Sequence, residues 1–99
     1  YMEPWENPSS AATGILDDIT YDWLPLVWDM LFGDDIGGPL GASEENILLA
    51  KKLVADHTDI SASATGTAGL AGLIAAKKDD CINSDDSVII LLTGVDRDF

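Results

Sequence analysis

The run Ser87-Val88-Ile89-Ile90-Leu91-Leu92-Thr93, closed by Gly94, constrains the fold more than any other stretch. Its central residues are all aliphatic, so both faces of an extended segment there would be apolar. A strand of that kind needs cover on each side, which helices on both faces of a parallel sheet supply. Helical and extended patterns alternate upstream, and the order helix–strand–helix–strand–helix–strand predicts an α/β layer: part of an open, mainly parallel sheet with flanking helices.

The elements follow from periodicity and punctuation. Residues 1–13 carry Pro4, Pro8 and a Ser/Ala-rich patch and read as an extended entry segment, with Trp5 as a packing anchor. A single α/β domain then covers 14–99. In 14–33, Ile19, Trp23, Leu26, Val27, Met30 and Leu31 recur at steps of three and four, the period of a helix with one buried face. Thr20 can cap its start and Gly33 its end, and Pro25 predicts a break. Residues 34–42 read as a loop with a short strand at 39–42. Ser43 caps a second helix over 44–57, with Glu44 and Glu45 at its positive end, His57 near its negative end, and Ile47, Ala50, Leu53 and Val54 as its inner stripe. A short strand at 59–63 and a third helix over 64–78, capped by Thr65 or Thr67, precede the final strand.

Charge excludes some functions. Eighteen acids against five bases give a net charge of −13, a field that repels phosphate backbones and rules out nucleic-acid binding. No apolar run approaches the roughly 20 residues of a membrane span. The lone Cys81 excludes an internal disulfide and fits a reducing, cytoplasmic setting. The first residues have neither the basic region nor the apolar stretch of a signal peptide, and a start at Tyr1 with Met2 second reads as a piece of a longer chain.

Few side chains invite chemistry. Asp17-Asp18, Asp34-Asp35, Asp79-Asp80 and Asp85-Asp86 are adjacent carboxylates that diverge within an element and read as solvated loop and cap acids, not a metal site. His57 has no Cys or His partner. Lys51-Lys52 and Lys77-Lys78 lie on polar helix faces, unlike a desolvated imine-forming lysine. No catalytic residue is assigned. Gly66, Gly69 and Gly72 fall three apart and suit either close backbone packing or exposure of the amides at 65–68 to a ligand.

"SATGTAGLAGLIAAKKDDCINSDDSVIILLTGVDR", residues 63–97, resembles the C-terminal portion of threonine synthase and its relatives. "ENPSSAATGILDDITYDW" and "SEENILLAKKLVADHTDI" resemble preceding segments of the same proteins, so the likeness runs from about Glu6 to Arg97. It implies the large domain of the tryptophan synthase β-like fold and a pyridoxal 5'-phosphate-dependent lyase or synthase acting on an amino acid. Thr93 would give its hydroxyl to the pyridine nitrogen, Gly94 would let the backbone approach the ring, and 64–67 would help wall the pocket. A carboxylate there would keep the nitrogen protonated and the ring a deep electron sink; beside a neutral hydroxyl the ring withdraws electrons less strongly, which suits elimination and replacement at the β or γ carbon. After Gly94 the chain reads Val95-Asp96-Arg97-Asp98 and not the His-Gly-Leu-Lys-Asp-like continuation of many threonine synthases, which points to a related member.

The family's imine-forming lysine and phosphate loop would lie in an N-terminal remainder of the parent, the expected partner. The piece alone is expected to be inactive and to self-associate through an uncovered apolar face. The rival reading is a stand-alone acidic α/β interaction or regulatory domain without cofactor.

Overall fold

A computed structural model describes residues 3–17, 21–33 and 38–97. The expected parallel sheet does not form. Among the described residues the chain has a 3-10 turn at Thr13–Ile15 and three α-helices, α1 (Trp23–Phe32), α2 (Glu44–His57) and α3 (Ala68–Lys78), with no strand. The stretches expected as strands at 39–42, 59–63 and 87–93 contribute only one isolated antiparallel bridge, Ala62 to Val95. Residues 87–92 make no backbone hydrogen bond among the described residues. Their composition suits a strand, but a strand exists only through its ladder, and no neighbouring segment supplies one.

Helix α2 follows its local signals. Ser43 has extended backbone and its Oγ accepts the Asn46 amide at 3.1 Å, while Glu44 and Glu45 occupy the first turn. Ile47, Ala50 and Val54 are buried, and Leu53 is half-buried. Helix α3 starts later than expected, because residues 64–67 form a turn before Ala68. Its end closes as a Schellman motif: Cys81 N–H donates to Ala76 O at 2.8 Å and Asp80 N–H to Lys77 O, with Asp80 left-handed at φ 57°.

Helix α1 departs from expectation in two ways. Pro25 causes no break, because it is the third residue of the helix, in the first turn, where backbone amides have no partner within the helix. The expected cap Thr20 and the stripe residue Ile19 lie outside the described residues. Gly33 does end the helix, its N–H donating to Asp29 O at 2.8 Å. The expected buried stripe is absent: no residue of α1 is buried, and Trp28, Leu31 and Phe32 are each more than 60% exposed. Asp29 is its one charged residue, so α1 is apolar nearly all round, and among the described residues α2 and α3 are the only helix pair in contact. Trp5 is exposed as well.

The core therefore lies between α2 and α3 and is built from small side chains. Among the described residues, seven of the nine buried hydrophobic ones are alanines, which lets the two helices approach closely. Ala12 from the entry segment is fully buried against Ile47, Ala50, Ala64 and Ala71. The molecule is a slab of 39 × 38 × 19 Å with its large apolar side chains mostly on the outside.

Candidate functional site: a hydroxyl-lined cleft

Two segments far apart in sequence meet beside the start of α3. Ser63 N–H donates to Gly94 O at 3.0 Å, Thr93 N–H to Gly66 O at 3.3 Å, and Asp96 N–H to Ser61 O at 3.0 Å. The crossing is tightest at Gly66, where a side chain would run into backbone. A methyl on Gly66 would lie 2.6 Å from Gly94 N, and one on Gly94 would lie 2.8 Å from Ser63 Oγ and 3.2 Å from Gly66 Cα. A side chain at Gly94 would be crowded but could be met by a turn of the Ser63 side chain and a small backbone shift, so the strict need for glycine is at Gly66. Of the three spaced glycines only Gly66 makes such a contact, since a methyl on Gly69 or Gly72 would meet neighbours no closer than 3.7 Å.

This pairing holds open a cleft of about 590 Å³. Thr13 and Gly14 of the 3-10 turn, Ser63 and Thr65 before α3, and Thr93 and Arg97 near the chain's end all line it. Thr65 Oγ1 accepts the Gly14 amide at 2.8 Å, tying the entry segment to the turn before α3. Ser63 Oγ accepts the Gly66 amide at 2.9 Å. The turn is fixed by Thr67, fully buried, whose hydroxyl donates to Ser63 O at 3.0 Å. Glu44 steadies the entry segment: its carboxylate accepts the Ala11 amide at 3.0 Å, and that bond, followed by one from the Ser10 hydroxyl, holds its pKa below the usual range.

Thr93 is exposed, and its hydroxyl has no partner among the described residues. Together with Gly94 it also borders a shallower cleft of about 450 Å³ whose other walls include Ile60, Leu92 and Val95. The two residues singled out in the sequence thus form a ridge between a polar cleft and an apolar one. Ala64 and Thr65 of the expected 64–67 wall line the polar cleft.

Sequence reasoning missed Lys51 and Arg97. Lys51 reaches the cleft from α2 and pairs with Asp96 at 3.3 Å, across a separation of 45 residues. No local pattern announces such a pair. The Lys51 side chain is 40% exposed and sits against a carboxylate, unlike the desolvated setting of an imine-forming lysine. Lys52 points elsewhere and is held by Asp56 at 2.6 Å. Compared with protein-family models, with curated proteins and with solved structures, the chain finds no match in any of the three.

Proposed function

We propose that the chain forms one wall of a pyridoxal-phosphate site in an amino-acid lyase or synthase of the threonine synthase kind, and that it is inactive alone. The observation that carries this reading is the unpartnered Thr93 hydroxyl on a ridge open to two clefts, where a heterocycle can reach it. A hydroxyl there fits a pyridine nitrogen, and Gly94 keeps the ridge low. The bound cofactor would supply electron withdrawal from the amino-acid carbons; Thr93 would orient the ring without placing a full charge beside it. The covalent anchor belongs to the N-terminal remainder of the parent. The uncovered surfaces of α1 and of Ile89 and Leu91 support the need for that remainder, since apolar patches of this kind mark interaction faces.

Adding pyridoxal phosphate to the chain, reducing with borohydride and weighing the products tests where the anchor lies. The expected result is scattered, sub-stoichiometric labelling of exposed lysines. A single adduct at full occupancy on Lys51 would overturn the assignment of the anchor to other polypeptide.

The bare α1 favours a second reading, an acidic interaction module that needs no cofactor. In that case Thr93 would respond to no heterocycle.

A further inference from the structure

The polar cleft has a feature that no heterocycle requires. The chain carries only five basic residues against eighteen acidic ones, yet two of the five, Lys51 and Arg97, line this one cleft. Lys51 is neutralised by Asp96, which also lines it. Arg97 has no carboxylate partner among the described residues, so among these the cleft lining carries one positive charge more than it has acids, inside a strongly negative molecule.

The lining presents hydrogen-bond donors as well. Ser63 Oγ and Thr65 Oγ1 each accept a backbone amide, from Gly66 and Gly14 respectively, which leaves each hydroxyl proton free to donate. Both side chains are held in place by those amides and need no ordering when a ligand arrives. A guanidinium and two fixed hydroxyl donors lining one cleft are the groups that bind a planar or tetrahedral oxyanion. The field of the whole chain opposes polyanions, so the ligand is small.

We propose that this cleft binds the oxyanion group of a small molecule, a carboxylate or a phosphate, held by Arg97 with the Ser63 and Thr65 hydroxyls. The inference goes beyond the cofactor reading: it shares the cleft and the wall residue Thr65 with that reading but does not use the Thr93 hydroxyl.

The test is a titration of the full chain with sodium acetate and, separately, sodium phosphate at low ionic strength, with sodium chloride as the matched control, following backbone amide resonances. Saturable shifts at residues 63–66 and 93–97 are expected, with a midpoint of roughly millimolar, as suits one cation in excess. Arg97→Gln should raise that midpoint about ten-fold or more, the loss expected when one charge-assisted contact is removed. Lys52→Gln, outside the cleft, should leave it unchanged. Response to acetate alone identifies a carboxylate ligand, response to phosphate alone a phosphate, and either supports the site. An equal response to chloride, or an Arg97→Gln variant that titrates like the parent chain, would overturn it. Pyridoxine, which carries no oxyanion group, tests the Thr93 contact separately, so failure here is distinct from failure of the cofactor reading.

Discussion

Gly66→Ala is expected to destabilise the fold by about 3 kcal/mol, at the upper end of the usual cost of overpacking. The added methyl would lie 2.6 Å from Gly94 N and 2.8 Å from its carbonyl carbon, and these are backbone atoms that cannot rotate away. Relief requires pulling 93–96 off 61–66, which breaks the bonds from Ser63 N–H to Gly94 O and from Thr93 N–H to Gly66 O. A loss of this size is a large share of the stability of a small domain. Urea unfolding followed by circular dichroism reads it. Gly69→Ala is the control: its methyl would be 3.7 Å from Ile90 Cγ2, inside α3, where replacing glycine is worth about 0.5–1 kcal/mol in favour of the helix. Equal destabilisation by both changes would show that glycine matters there for a reason other than this crossing.

Ile47→Ala is expected to cost about 3 kcal/mol, within the range for deleting a buried aliphatic side chain. Ile47 is the one large residue of the core cluster; Ala12, Ala50, Ala64 and Ala71 complete it. The alanines cannot swing into a void, and only Leu70 and Ile74, partly buried and packed against the cluster, can relax toward it, so most of the cost should remain. Leu31→Ala provides the contrast. Leu31 is 64% exposed on α1, and its truncation should change stability by no more than about 0.5 kcal/mol. A side chain count would rank the two leucine-sized losses alike; burial separates them. Comparable losses in urea unfolding would contradict the placement of the core between α2 and α3.

Local signals were legible where the physics is local. Ser43, the paired glutamates and the spacing of Ile47, Ala50 and Val54 specify α2 within a residue, because a cap and an apolar stripe act inside one helix. Gly33 marked the end of α1 for the same reason. The failures concern partners. The period of α1 announces a helix but not what covers it, and within the described residues no other helix packs on it. Residues 87–92 have strand composition, yet pairing depends on a second segment, and the only bridge nearby joins Ala62 to Val95. Pro25 was misread because its effect depends on its place in the helix, two residues after Trp23.

The candidate site divides in the same way. Thr93 and Gly94 could be singled out because a hydroxyl and a glycine closing an apolar run are adjacent in sequence. The rest of the cleft comes from Gly14, Lys51, Thr65 and Arg97, whose neighbourhood only the folded chain creates. Lys51 read as a surface charge, and its side chain is indeed 40% exposed, but its partner Asp96 belongs to the cleft. The spaced glycines suggested a helix face; the one that matters, Gly66, precedes the helix and serves the crossing with Gly94.

The central claim is that the Thr93 hydroxyl contacts a pyridine nitrogen. Titration with pyridoxine, which has the ring nitrogen but neither aldehyde nor phosphate, addresses that contact alone. The Thr93 and Gly94 amide resonances should shift as pyridoxine is added, Thr93→Ser should keep the response, and Thr93→Val should abolish it. Shifts that persist in Thr93→Val, or none at Thr93 and Gly94 in the parent chain, would contradict the claim and leave the interaction reading in its place.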